Sequence, residues 1–188
     1  MKAGVLVLIA LVILGVVFGG QIVSARNEMV TQKNGIEGAW AQVENVMQRR
    51  ADLIPNLVET VKGVAKQEQA VFGEIAAARS GLLGAKGPQE KMQANAALDG
   101  AIGRLLVLTE NYPQLKSSEN FTSLMNELSG SENRIAIERQ KYNNTIKEYN
   151  TYIELFPKNI AASMFGYAKN DNYFKTEPAA KHAPKVSF

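Results

Sequence analysis

The sequence predicts an all-α protein: an N-terminal transmembrane helix followed by an up-down-up bundle of long antiparallel helices, with a short C-terminal helix. Three observations carry that prediction. Ala3 to Gly20 is a run of 18 residues with no charge and no strongly polar side chain. From Asn27 onward, apolar side chains recur at helical spacing between charged ones. No segment alternates with the period of two that a strand requires.

The first element is the apolar segment. A bilayer core needs about 20 apolar residues in helical form. Ala3 to Ala25 supplies 23, with only Gln21 and Ser24 clearly polar, both near its end. Val23-Ser24-Ala25 also resembles a signal-peptide cleavage site. Against cleavage, the apolar stretch exceeds the usual h-region of about 7–15 residues, and Lys2 is the only charged side chain before it. The segment reads as a retained single-pass anchor. Gly15 and Gly19 form a small-xxx-small spacing, which is also common in membrane helices that do not pair. Lys2 lies on one flank and Arg26 and Lys33 on the other, so charge does not fix the orientation.

The second element is a long helix from Asn27 to Leu83. Val43, Met47, Ile54, Leu57, Val61, Val64, Val71 and Ile75 form its apolar seam. Pro55 is expected to kink it and to free the Ala51 carbonyl, with Asn56 available to satisfy that group. Gly81, Gly84 and Gly87 end it. Pro88 opens a helix that runs to about Tyr112 on Met92, Leu98, Ile102, Leu105 and Leu106. Pro113 stops that helix, and Ser117 or Ser118 caps the next. Phe121, Leu124, Leu128, Ile135, Tyr142, Ile146, Tyr149 and Ile153 give this helix its stripe, with an interruption expected at Gly130. Pro157 ends it and opens a short helix over Asn159 to Met164. A tail beyond Gly166, containing Pro178, His182 and Pro184, is expected to hold little regular structure. The domain reading is an anchor over 1–26, a bundle over 27–166 and a tail over 167–188.

The chain has no cysteine, one histidine and a formal net charge of +3, with the charges of both signs interleaved. The absence of cysteine excludes disulfides and thiolate metal sites, the one histidine, His182, lies in the tail and builds no Ser-His-Asp set, and no basic stripe points to nucleic acid. The Gly81–Gly87 segment with Lys86 lacks the spacing and the preceding strand of a phosphate loop, and reads as a helix–helix turn. No catalytic, cofactor-binding or metal-binding constellation is found, and no enzyme activity is expected.

Charged residues on apolar stripes want partners. Arg50, Glu68, Glu132 and Arg139 are such residues and read as structural ion pairs. Antiparallel register across the glycine turn sets Glu68 near Arg104. Arg49, Arg50, Asp52, Pro55 and Asn56 form a candidate interaction surface beside the proline. Trp40 reads as a packing residue, being too far beyond the anchor to sit in the aromatic belt. The same register leaves Val43 to Val58 and Tyr142 to Phe156 uncovered. Exposed apolar strips mark interaction surfaces, so self-association is expected ahead of two alternatives, a sharp bend at Pro55 or Gly130 that folds each strip back onto its own bundle and another protein that covers it.

The sequence resembles the LemA family. The resemblance runs through Ala39-Trp40-Ala41-Gln42, the stretch from Gln48 to Gly63 that includes Arg49-Arg50-Ala51-Asp52-Leu53-Ile54-Pro55-Asn56-Leu57, and Glu68. It resumes at Glu110-Asn111-Tyr112-Pro113 and continues through Glu132-Asn133-Arg134-Ile135 and Arg139. Tyr142-Asn143, Tyr149-Asn150, Phe156-Pro157-Lys158-Asn159, Phe165-Gly166 and Tyr173-Phe174 complete it. Family members often carry a Tyr-Asn pair just after the membrane helix, where this chain has Arg26-Asn27-Glu28-Met29-Val30. The resemblance implies a bacterial inner-membrane or cytoplasmic-membrane protein with a helical bundle and no established enzymatic activity. It also implies relatives associated with magnetosomes and membrane proteases. The partners expected are the lipid bilayer, other copies of the chain and a membrane-protein partner. The leading functional reading is a membrane-anchored scaffold. The alternatives are an accessory subunit of a membrane enzyme such as a protease, and a secreted helical binding module released by cleavage after Ala25.

Overall fold

A computed structural model describes residues 2–174. Among the described residues there are six helices and no strand: α1 (Lys2–Lys62), α2 (Gln69–Gly84), α3 (Gly87–Thr109), α4 (Pro113–Lys116), α5 (Glu119–Glu154) and α6 (Lys158–Phe165). The all-α bundle is as the sequence implies. The expected membrane helix and the start of the first bundle helix are one element, α1, which is 61 residues long. The chain forms two compact units. One comprises the described residues of Met1–Ala39 and Tyr142–Tyr173, the other those of Trp40–Lys141 and Phe174–Phe188.

In the second unit the long helix expected from Asn27 to Leu83 is divided. Around Gly63 the hydrogen bonds tighten: Val64 N donates to Val61 O at 3.0 Å and Glu68 N to Ala65 O at 3.2 Å. Glycine costs a helix interior about 1 kcal/mol relative to alanine, and the polar run Lys66-Gln67-Glu68 adds no apolar face to repay it. Ala65, at 1% exposure, pins the turn into the core. The chain then reverses. Lys62 Nζ lies over the Phe72 ring at 5.8 Å, and Arg79 reaches back to Ala51 and Asp52, so α2 runs antiparallel to α1. A second reversal follows at Ala85 and Lys86, where Gly87 takes a φ of 75° that disfavours any side chain. Lys91 meets Glu44 and Asp99 meets Arg50, which sets α3 parallel to α1. After α4, Ser118 Oγ accepts from Phe121 N at 3.4 Å and caps α5, as its position suggested. The unit is thus an up-down-up-down bundle of four helices rather than three.

In the first unit, α5 lies against α1. Gly35 sits where a Cβ would lie 3.7 Å from Thr145 Cγ2, and Met29 and Ile36 are buried. Gly166 ends α6 at φ 72°, with Tyr167 N donating to Ala162 O at 2.9 Å, a Schellman closure.

Two further expectations are corrected. Gly130 does not interrupt α5, which is helical throughout, with Ser131 Oγ donating to Leu128 O at 2.7 Å. The strips read as uncovered are largely buried within one chain. Val43, Met47, Ile54 and Leu57 are at most 2% exposed, and Tyr142, Ile146, Tyr149 and Ile153 at most 6%. The division at Gly63 is the reason in the second unit, because α2 and α3 fold back along α1 instead of extending it. In the first unit, α1 itself covers the α5 strip. Residues 167–174 carry no regular secondary structure; Pro178, His182 and Pro184 lie outside the described residues.

Candidate functional site

The bundle's most distinctive chemistry is a buried cation. Arg50 is 5% exposed on α1. Its Nη1 donates to Asp99 on α3 and, at 2.5 Å, to Glu132 Oε2 on α5. Three helices thereby meet at one guanidinium. Asn95, one turn before Asp99, is also buried and donates from Nδ2 to Asp99 Oδ2 at 3.0 Å. Burial pushes the Asp99 carboxyl above the ordinary aspartate range, Arg50 pulls it down, and Glu132 pushes it up again. Arg50 is shared by two acids, with Arg139 a weaker favourable influence on Asp99, so a carboxylate taken from water is only partly compensated.

One turn further along α1, Pro55 leaves the Ala51 carbonyl without its helical donor. Arg79 Nε of α2 supplies that bond at 2.7 Å, and Arg79 Nη2 lies 3.8 Å from Asp52. The group that satisfies Ala51 is therefore Arg79, not Asn56. Arg49, Asp52, Pro55 and Asn56 are exposed, while Arg50 from the same proposed surface is turned into the core. Arg49 lines an open groove of about 330 Å³ with Asn126, Glu127 and Arg134.

The other predicted ion-pair residues find different partners. Arg104 Nη1 binds Glu74 at 2.6 Å, and Glu68 accepts from the Tyr112 hydroxyl at 3.4 Å. Glu68 precedes α2 in the turn, so counting helical register through it misplaces it. The Arg139 guanidinium lies 4.6 Å from the centre of the Phe174 ring, and Trp40 stacks on the same ring at 5.9 Å. Trp40 is half-buried in packing, as the sequence suggested.

Asp99 and Arg79 escaped the sequence reading because neither lies on an apolar seam. A third arrangement also escaped it. Asn150 donates to Asn170 O at 2.9 Å and to the Tyr173 hydroxyl at 3.0 Å, and accepts from Asn170 N at 2.9 Å. Tyr149 donates to Ala168 O at 3.0 Å. These bonds fasten residues 168–173 along α5. The Tyr149-Asn150 pair in an otherwise apolar stripe was the available signal.

Residues 3–20 of α1 are all exposed side by side on a helix long and apolar enough to cross a membrane. Among the described residues, no cluster of three or more His, Cys, Asp or Glu side chains is placed to hold a metal ion. Among the described residues, the arrangement holds helices together and displays an apolar helix.

The chain is 27% identical over 190 residues to magnetosome protein MamQ 2 of Paramagnetospirillum magneticum, covering 87% of this chain and 70% of that one. It is 26% identical to magnetosome protein MamQ of Magnetospirillum gryphiswaldense, covering 81% and 65%. To Protein LemA of Metamycoplasma hominis it is 24% identical, covering 74% and 64%. The family model for the LemA family matches residues 39–188, which include the Arg50, Asp99 and Glu132 clamp and the Tyr149-Asn150 fastening, and the chain belongs to that family.

Proposed function

We propose that this chain is a membrane-tethered, non-enzymatic scaffold that presents a helical bundle for protein contacts and associates with copies of itself. The observation that carries the reading is the apolar run of α1, exposed along its whole length while the bundle's own stripes are satisfied internally. A soluble protein gains nothing by exposing such a surface, whereas a bilayer covers it. Tethering also confines copies to two dimensions and raises their effective concentration.

A second reading, an accessory subunit of a membrane enzyme, draws on the open groove at Arg49, Asn126, Glu127 and Arg134. Extraction of the full chain in mild detergent, followed by mass measurement, tests both readings. Assemblies of the chain alone support the scaffold. A single copy in fixed ratio with a foreign membrane protein supports the accessory role. A soluble product beginning at Arg26 overturns both.

A further inference from the structure

We infer that α6 is an interfacial foot that beds the first unit into the lipid headgroup region beside the anchor. The inference rests on the anchor reading above. α6 turns Ala161 and Ala162 inward, at 2% and 3% exposure, and turns an apolar line outward. Ile160 and Met164, four residues apart on α6, are 39% and 63% exposed, Phe165 beside them is 43% exposed, and Phe156 in the turn just before α6 is 79% exposed. A helix facing water presents the opposite pattern, with its polar side chains outermost.

The position of this line selects its occupant. Pro157, Lys158, Ile160 and Ala161 share a groove of about 200 Å³ with Tyr152 and, on α1, with Phe18, Gln21, Ile22, Ser24 and Ala25. Counted from Ala3, about 20 residues at about 1.5 Å each cross a hydrocarbon core of about 30 Å, so the water boundary falls near Ile22. Gln21 and Ser24, the first polar residues of the run, mark the same level. α6 therefore lies where acyl chains give way to headgroups, and its apolar line is continuous with an apolar surface already assigned to lipid.

The neighbouring side chains suit that depth. Tyr152 is an aromatic residue of the kind that gathers at the interface. Lys158 Nζ lies 4.0 Å from the centre of its ring, and the Arg26 guanidinium lies 5.6 Å from the centre of the Phe165 ring. Among the described residues lining the groove, Lys158 is the one formally charged. Long basic side chains at this level reach phosphate while their stems stay in the apolar layer. A short amphipathic helix lying in the interface has this composition.

The test uses depth-dependent fluorescence quenching in the full chain. Trp40→Phe removes the single tryptophan, and one reporter is introduced per protein: Phe156→Trp, Met164→Trp, Val12→Trp or Val107→Trp. All four positions are exposed in the structure, and circular dichroism checks that helicity is kept. Each protein is reconstituted in phosphatidylglycerol–phosphatidylethanolamine vesicles carrying phosphatidylcholine doxyl-labelled at a shallow or a deep acyl position. The expected result is quenching at Phe156→Trp and Met164→Trp about twofold stronger with the shallow label, in keeping with an interfacial depth. Val12→Trp is expected to respond more to the deep label, and Val107→Trp to neither. Quenching of Val12→Trp with none at Phe156→Trp or Met164→Trp leaves the anchor standing and overturns the foot. Emission at Phe156→Trp that is blue-shifted, unquenched and dependent on protein density also overturns it, in favour of a second copy as the occupant. Loss of quenching at Val12→Trp alone, with Phe156→Trp and Met164→Trp still quenched by the shallow label, overturns the anchor reading and with it the placement of α6 beside an anchor, leaving only surface binding.

Discussion

At the scale of single residues, Arg50 decides how three helices meet. Replacing it with methionine keeps much of the stem and leaves Asp99 and Glu132 facing each other with the field of Arg139 as the remaining offset. Removing one partner of a fully buried pair costs about 3–5 kcal/mol. Here the two carboxylate side chains are 37% and 43% exposed, so water recovers part of that cost. Arg50→Met is therefore expected to lower unfolding free energy by about 2–3 kcal/mol in urea titration. A loss within experimental error would remove the clamp from the account of stability. Asp99 makes a separate prediction. Its carboxyl is raised chiefly by burial, so the native chain holds this proton more tightly than the unfolded chain does. Its contribution is most favourable in acid and falls as pH rises from the ordinary aspartate value, about 3.9, through the raised one. Asp99→Asn is expected to flatten that fall in a series of thermal midpoints between about pH 4 and pH 7. Parallel curves for the two proteins would show that Asp99 is solvated like any surface acid.

At the scale of elements, the bond from Arg79 to Ala51 ties α2 to the point where proline opens α1. Alanine at position 55 restores the donor that Ala51 lacks, so Arg79 should then matter less. Arg79→Met is expected to cost about 1–2 kcal/mol beside Pro55 and measurably less in the Pro55→Ala background. Additive effects in that double-mutant cycle would mean that the carbonyl is satisfied in some other way. This bond also shows what the sequence could disclose. The freed carbonyl follows from Pro55 alone, since proline removes one known donor at one known distance. Its rescuer does not, because Arg79 is 28 residues away and joins only through the reversal after Gly63. That reversal was concealed by the apolar seam, which runs from Val61 to Val71 and Ile75 as though one helix carried it. Periodicity reports which side chains want burial, not whether the backbone between them stays straight. Stops marked by proline or a glycine cluster, at Gly84–Gly87, Pro113 and Pro157, were legible because their backbone consequences are local. The same holds for burial of Arg50 and Glu132: both stood on apolar stripes, so each required a partner, but the third member sat on another helix outside any stripe. Glu68 failed for the complementary reason, since its register was counted through a turn.

At the scale of the whole molecule, the buried strips move the argument for self-association from the bundle to the anchor. A cysteine at Ile146, which is fully buried, has no path to another copy, whereas the apolar run of α1 is exposed from residue 3 to residue 20. Within it, Gly15 and Gly19 lie on one helical face, and a Cβ built at either meets no atom within 4 Å. Neither glycine is required by the packing of a single chain, so enlarging them changes only what approaches from outside. Small residues four apart let two membrane helices come close enough for backbone-to-backbone contact, and a branched side chain at that spacing prevents it. The chain has no native cysteine, so one introduced at Val12, on the same face one turn earlier, reports such an approach without background. Val12→Cys is expected to give oxidised dimers in native membranes at ordinary expression levels, and Ile146→Cys is not. Adding Gly15→Ile and Gly19→Ile should weaken dimer formation by about tenfold, equivalent to about 1.4 kcal/mol of association free energy. Helical content and membrane retention should stay unchanged, because an isolated anchor tolerates isoleucine at least as well as glycine. If the isoleucine protein cross-links as efficiently as its parent, the anchors do not pair through this face. If Ile146→Cys cross-links instead, the bundle strips open in the membrane, and association through the bundle regains its support.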